Sequence, residues 1–130
     1  AQRIMANVLQ DELWLPHVDK LRAVYDSRRL AMLHYLNEFL GDVPGCHWHE
    51  TRGGLCVWLT LPEPIDTGMQ GEFLKSAVEA GVIYVPGEYC FASQGESPNH
   101  STIRLTFGVQ SAESIERGIR ILSEQVKRWQ

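Results

Sequence analysis

The stretch Gly81-Val-Ile-Tyr-Val-Pro-Gly-Glu88 decides the fold, because an apolar β-type run within it stops at a Pro-Gly turn. A second β-type run, Thr102-Ile-Arg-Leu-Thr-Phe107, follows after a loop that contains Gly, Ser, Pro and Asn. Arg104 lies in the middle of this run, between Ile103 and Leu105. A guanidinium stays charged at ordinary pH and is costly to bury unless an anion meets it. We therefore interpret Arg104 as a candidate clamp for a carboxylate or a phosphate.

Arg104 also has a structural interpretation. An arginine in a sheet can pair with Glu88 or with another acid nearby, and such a salt bridge needs no ligand. The planar fork of a guanidinium nevertheless suits two-point contact with a carboxylate better than a lysine does. The chemistry of the residue alone leaves the two interpretations open.

Two helical patterns come before these strands. From His17 to Leu40, apolar residues recur at helical spacing and predict one long amphipathic helix. The stripe consists of Val18, Leu21, Tyr25, Met32, Leu36 and Phe39. A shorter helical pattern runs from Ala1 to Trp14, and Pro16 lies in the link or in the first turn of the long helix. We interpret residues 1–15 as a helical lead-in and residues 16–130 as the domain proper.

A hairpin-like pair of strands is predicted next. Cys46 to Glu50 has the pattern of a short strand, and Thr51-Arg-Gly-Gly54 is typical of a turn. Leu55 to Leu61 is an apolar strand, which we expect to place Trp58 in the core.

Two more helices complete the pattern. The third is predicted from a capping box formed by Thr67 and Gln70, and Gly81 ends it. The fourth begins at Ser111, which suits an N-cap. Its core-facing stripe is Ile115, Ile119, Leu122, Val126 and Trp129. The order α-α-β-β-α-β-β-α predicts an α+β two-layer domain, with a small, largely antiparallel sheet of about four strands covered by helices.

The composition excludes several classes of function. A chain of 130 residues with 44% hydrophobic content is expected to form one domain with its own core. The net charge is −4 and no basic run occurs, so we expect no nucleic-acid binding by this domain. No apolar run approaches the roughly 20 residues that span a bilayer, and the N-terminus lacks a signal-peptide pattern. We expect a soluble, cytoplasmic protein with no membrane partner.

Neither a metal site nor a reactive thiol is expected. Cys46, Cys56 and Cys90 are odd in number and widely spaced, which favours reduced thiols over a zinc or redox site. His47 and His49 alternate onto one face of a strand, but two imidazoles are too few for a metal. We interpret them as part of a solvated strand face.

Four ordered pieces of the sequence resemble the C-terminal small domain of fold-type-I, pyridoxal-phosphate-dependent aminotransferases. They are the long helix, Gly53-Gly54-Leu-Cys-Val-Trp-Leu-Thr-Leu-Pro62, Gly81-Val-Ile-Tyr-Val-Pro-Gly-Glu88, and Ile103-Arg-Leu-Thr-Phe107 followed by a terminal helix. No piece is specific alone, but their order and spacing are. The resemblance covers nearly the whole chain. It favours the branch with aminoadipate-type aminotransferases and the aminotransferase-like regulators fused to a DNA-binding domain.

The resemblance implies a substrate-binding site. In the family, the arginine of an R-L-[ST]-[FY] pattern grips the α-carboxylate of the substrate, and Arg104 occupies that position. The turn at Gly53 and Gly54 is expected near the substrate, although Thr51 stands where the family often has proline. Tyr89 is expected to contribute to recognition of the substrate side chain.

The resemblance also implies what this chain does not supply. In the family, a lysine of the large domain forms the Schiff base with pyridoxal phosphate, and that domain also holds the phosphate and the ring nitrogen. Lys20, Lys75 and Lys127 fall in helical segments, and none matches the lysine motif. We expect no catalytic residue, bound cofactor or metal on this chain. The parent would bind pyridoxal phosphate, an amino acid and a 2-oxo acid. It would be a homodimer in which a large domain precedes this one.

The sequence therefore predicts the C-terminal domain of an aminotransferase, which binds the substrate α-carboxylate and is inactive by itself. Two alternatives remain open. The chain could be the effector-sensing part of an aminotransferase-like transcription regulator. It could also be a freestanding α+β module that binds a small acid without a cofactor.

Overall fold

The computed structural model of the protein describes residues 2–12, 14–95 and 97–130. Within these ranges the helices are α1 (Gln2–Gln10), α2 (Trp14–Leu40), α3 (Glu72–Glu79) and α4 (Ala112–Trp129). The strands are β1 (His47–Trp48), β2 (Cys56–Thr60), β3 (Val85–Pro86) and β4 (Thr102–Thr106), and a 3₁₀ turn spans Gly87–Cys90. This order confirms the predicted α+β class.

The strands form one antiparallel sheet in the order β1-β2-β4-β3. The register pairs Arg104 of β4 with Trp58 on one side and with Val85 on the other. Because side chains alternate along a strand, Ile103 and Leu105 share one face and are buried there, whereas Arg104 projects from the other. The predicted antiparallel sheet is confirmed, and Arg104 lies on the face opposite the core.

The core lies between the buried face of the sheet and the helices. Helix α2 contributes Met32, Leu36 and Leu40, and α4 contributes Ile115, Ile119, Leu122 and Val126. Phe73 of α3 is fully buried and meets the ring of Trp129 edge to face, with centroids 6.0 Å apart. Trp129 itself is 39% exposed, so the predicted stripe of α4 is confirmed except at its last residue.

Trp58 does not lie in the core, contrary to the prediction. In β2, Val57 and Leu59 are fully buried, whereas Trp58 is half-buried on the face that carries Arg104. The prediction was wrong because it treated an apolar run as buried on both faces. A sheet with helices on one face buries only every second residue of such a run.

Helix α2 begins at Trp14, before the expected start at His17, and its first turn includes Pro16. A proline is tolerated there because the first N–H groups of a helix have no partner within the helix. Met32 and Leu36 of the predicted stripe are buried. The half-buried members of the stripe are Val18, Leu21, Tyr25 and Phe39. The core therefore holds mainly the C-terminal half of this helix.

Helix α1 (Gln2–Gln10) confirms a short first helix, although it ends before the predicted Trp14, and it has no buried residue. Its large apolar residues Ile4, Met5 and Leu9 are exposed. Ala1 and Leu13, which the predicted lead-in includes, lie outside the described residues. No helix in the described ranges is both long and apolar enough to cross a membrane.

The capping box predicted at Thr67 and Gln70 does not form. Helix α3 has Gly71 at its N-cap, with no hydrogen bond from a side chain. Thr67 is buried, and its hydroxyl lies 2.7 Å from the carbonyl oxygen of His100 and 2.8 Å from that of Thr102. These distant backbone acceptors hold the Thr67 side chain in the interior, four residues before the observed N-cap, and the local pattern could not show them.

All four strands are shorter than predicted, and the two edge strands have half or less of their predicted length. β1 covers His47–Trp48 instead of Cys46–Glu50, and β3 covers Val85–Pro86 instead of 82–85. Both lie at edges of the sheet, where a strand has only one neighbour to pair with. Pro86 also lacks an N–H donor, which limits the ladder of β3.

Ser111 is the N-cap of α4, as predicted, and its hydroxyl accepts from the N–H of Ser114 at 3.2 Å. We expect Ser111→Ala to lower the free energy of unfolding by about 1 kcal/mol, because that N–H loses its acceptor. Ser111→Gly should cost only a few tenths of a kcal/mol, since water can then reach the N–H. Urea unfolding of both variants measures the difference. Equal losses would contradict the capping role.

Candidate functional site

The face of the sheet opposite the core carries Arg104. Its cross-strand partners Trp58 and Val85 are half-buried and project to the same face. Arg104 is exposed, and within the described part of the chain its guanidinium makes no ion pair. Its fixed fork of donors can therefore receive an anion from the solvent side.

Two expectations for Arg104 are corrected. The argument from costly burial does not apply, because the strand alternation brings the side chain to the surface. Arg104 also does not pair with Glu88. The Glu88 carboxylate accepts from the backbone N–H of Met69 at 2.9 Å and lies 3.3 Å from Nδ1 of His100. The structural salt bridge with Glu88 was a wrong interpretation.

An aromatic pair lies on the same face. The rings of Trp58 and Phe91 meet edge to face, with centroids 6.0 Å apart and 63° between their planes. We call these two residues the aromatic wall. Since Trp58 is the cross-strand partner of Arg104, the aromatic wall and Arg104 are neighbours on this face of the sheet. Sequence reasoning missed this role of Trp58, although the alternation in Cys56-Val-Trp-Leu-Thr60 contained the signal.

Tyr89 lies in the 3₁₀ turn, two residues before Phe91, and is 61% exposed. Its ring takes no part in the aromatic pairs found among the described residues. An exposed phenol of this kind is free to contact a ligand. Recognition of a substrate side chain by Tyr89 stays a prediction.

The start of the 3₁₀ turn is fixed by close packing and buried hydrogen bonds. Gly87 approaches Thr102 so closely that a Cβ at position 87 would lie 2.7 Å from the Thr102 carbonyl oxygen. The hydroxyl of Tyr84 donates to the carbonyl of Thr67 at 3.2 Å. Burial, with a contribution from the carboxylate of Asp66, raises the pKa of Tyr84 well above its ordinary value, so this donor stays protonated. The loop that carries Tyr89 thus starts from a rigid base.

Gly53 and Gly54 line a cleft of about 580 Å³ between their turn and helix α2, away from Arg104. Three arginines share this cleft: Arg22, Arg29 and Arg52. Arg29 donates to the carbonyl of Thr51 at 2.9 Å and anchors the turn, and Gly54 has φ of 77°, which favours glycine. Arg104 does not line this cleft. The structure gives Gly54 a conformational role, and contact of the turn with substrate stays a prediction.

The histidines and cysteines do not form a site in the part of the chain that the structure describes. His47 and His49 are both exposed, as expected for a solvated strand face. The described residues contain no group of three or more His, Cys, Asp or Glu that could hold a metal. Cys46 is buried, and burial raises the pKa of its thiol to about 11, which makes it a poor nucleophile.

The sequence is related to known aminotransferases, although no family model matches it. It is 43% identical over 111 residues to aromatic-amino-acid aminotransferase 1 of Thermococcus litoralis, a match that covers 85% of this chain and 25% of that protein. It is 31% identical over 127 residues to 2-aminoadipate transaminase of Thermus thermophilus, covering 96% of this chain and 30% of the relative.

The fold is similar to that of an aminotransferase of known structure. The structure of kynurenine aminotransferase from Pyrococcus horikoshii matches with a TM-score of 0.81 and 34% identity, covering 94% of this chain and 28% of that one. The HTH-type transcriptional regulator NorG of Staphylococcus aureus is 29% identical over 128 residues, covering 98% of this chain and 27% of the regulator. The chain spans 25% of the length of the first of these aminotransferases and 30% of the second.

Proposed function

We propose that this chain, a homologue of fold-type-I, pyridoxal-phosphate-dependent aminotransferases that corresponds to their C-terminal small domain, binds the α-carboxylate of an amino-acid substrate. The parent protein would transfer an amino group between an amino acid and a 2-oxo acid. The homology to aminotransferases favours this proposal over a module without any relationship to them.

One observation carries the proposal: Arg104 presents an exposed guanidinium with no ion pair among the described residues, from the middle of a strand that fixes its backbone. Two parallel N–H···O contacts to a carboxylate set both the position and the orientation of the bound group. With the α-carboxylate held by Arg104, the substrate side chain can pack on the aromatic wall. This domain's contribution is therefore to orient the substrate for a reaction whose reactive groups lie elsewhere.

The lysines of this chain do not fit the cofactor. Lys20, Lys75 and Lys127 are exposed on helices, and Lys75 is paired with Glu72 at 2.5 Å. A Schiff-base lysine is activated in a desolvated pocket, whereas all three of these lysines are exposed. We assign no step of the cofactor chemistry to this chain. In our proposal a large domain holds pyridoxal phosphate, residues 1–15 lead in from that domain, and the parent is a homodimer.

We expect the 130-residue chain, mixed with pyridoxal phosphate, to form no stable Schiff base and to catalyse no amino transfer. The full-length protein should do both. Absorbance spectra, followed by borohydride reduction and peptide mapping, compare the two proteins directly. A stoichiometric reduced adduct at Lys20, Lys75 or Lys127 of the short chain would overturn the assignment of the cofactor to another domain.

The relationship to NorG supports a second candidate function, the effector-sensing domain of a transcription regulator. In a regulator of this kind, the present domain would bind a small carboxylic acid through Arg104 and signal to a DNA-binding domain. The sequence that precedes this domain in the full-length protein separates the two functions. Sequence-specific DNA binding that responds to an amino acid, without amino transfer, would favour the regulator.

A further inference from the structure

We propose that Glu88 is a positioning residue that holds the aromatic wall, Trp58 and Phe91, beside Arg104. Glu88 acts through the backbone of the 3₁₀ turn, in which it lies. The inference rests on the proposed function for the identity of the substrate. It adds a substrate class to that function, because an ordered wall beside a carboxylate clamp favours amino acids with aromatic or large apolar side chains.

The carboxylate of Glu88 bridges two segments that are distant in sequence. Oε1 accepts from the backbone N–H of Met69 at 2.9 Å, and Oε2 lies 3.3 Å from Nδ1 of His100. The Glu88 side chain is only 23% exposed, so these contacts replace much of its hydration. Glu88 thereby ties the turn at Met69 to the segment that leads into β4.

The turn that receives this carboxylate leaves room for it. A Cβ at Gly68 would lie 3.2 Å from Oε1 of Glu88 and 3.0 Å from Oδ1 of Asp66. Asp66 in turn accepts from the N–H of Gly68 at 2.8 Å. Two carboxylates so close to one glycine repel each other unless donors meet them. The N–H groups of Gly68 and Met69 supply those donors, so the turn is arranged to receive an acceptor oxygen from position 88.

Glu88 is also connected to the aromatic wall through the backbone of the 3₁₀ turn. The carbonyl of Glu88 accepts from the N–H of Phe91 at 3.5 Å, and Gly87 on its other side packs against Thr102. The ring of Phe91 then meets Trp58, the cross-strand partner of Arg104. Without the carboxylate, the 3₁₀ turn loses its attachment to Met69 and His100. Phe91 is then held only by its ring contact with Trp58 and by the backbone of the turn.

The experiment compares Glu88→Ala and Glu88→Gln in the full-length protein, with Glu79→Ala as a control at an exposed glutamate of α3. Kinetics are measured with phenylalanine and with alanine as amino donors. We expect Glu88→Ala to raise KM for phenylalanine about tenfold, the size of one lost aromatic contact, and to change KM for alanine less than about twofold. Glu88→Gln should leave KM for phenylalanine close to that of the unmodified protein, because an amide oxygen still accepts from the N–H of Met69. Glu79→Ala should change neither value.

Hydrogen exchange gives a second readout in the same protein. Glu88→Ala should speed exchange at the N–H groups of Met69 and Phe91, with little change in the N–H groups of β4. An equal rise in KM for both substrates, or unchanged exchange at Phe91, would overturn the positioning role. If the unmodified full-length protein transfers no amino group, the proposed function fails, and the exchange at Phe91 then decides the role of Glu88 by itself.

Discussion

Arg104→Lys in the full-length protein is expected to lower kcat/KM by at least about 30-fold, or about 2 kcal/mol of transition-state stabilisation. A lysine keeps the positive charge but loses the two-point grip on a planar carboxylate. The melting temperature should stay nearly unchanged, because Arg104 is exposed and gives up no ion pair within the described residues. Binding of pyridoxal phosphate should also be unaffected, since the clamp contacts the substrate and not the cofactor.

The matched control for this experiment is Arg117→Lys, at an exposed arginine on helix α4. It makes the same chemical change on the opposite side of the sheet from the proposed site, so kcat/KM should not move. Steady-state kinetics and thermal unfolding are measured on both variants. Unchanged kcat/KM in Arg104→Lys would refute the carboxylate clamp. A fall in melting temperature with no kinetic effect would assign Arg104 a structural role instead.

Much of the fold could be predicted from local patterns. Helical periodicity located α2 and α4, and the run that stops at Pro86-Gly87 indicated an edge strand that shares only Val85 with β3. Each of these signals is a property of neighbouring residues, so it can be read without knowing what packs on them. The same reasoning reached Arg104 as an anion-binding candidate, although through a burial argument that the structure corrects.

The parts that could not be predicted depend on which face an element turns inward and on contacts between distant residues. Trp58 was placed in the core because its neighbours Val57 and Leu59 are apolar, and only the sheet shows that it projects the other way. The bond from Met69 to Glu88 spans 19 residues, and the contact of Thr67 with His100 spans 33. No local pattern encodes such pairs, so the anchoring of the loop beside Arg104 emerged only from the structure.

Gly87→Ala is expected to destabilise the chain by about 2–3 kcal/mol through steric overlap. The new Cβ would lie 2.7 Å from the carbonyl oxygen of Thr102 and 2.8 Å from its Cβ. Thr102 cannot easily yield, since it is 3% exposed and its hydroxyl donates to the carbonyl of Asn99 at 2.7 Å. Its carbonyl also lies 2.8 Å from the Thr67 hydroxyl, so any shift would weaken a second buried contact.

Gly118→Ala supplies the matched control, because it makes the same change in helix α4, where a new Cβ would meet no atom within 4 Å. Alanine is favoured over glycine in a helix, so this variant should gain up to about 1 kcal/mol. Both substitutions reduce the entropy of the unfolded chain in the same way, and their difference therefore isolates the contact with Thr102. Denaturant unfolding of the two variants should differ by about 3 kcal/mol. Similar stabilities would show that the backbone at Gly87 relaxes away from Thr102. The start of the 3₁₀ turn would then be more flexible than its packing indicates.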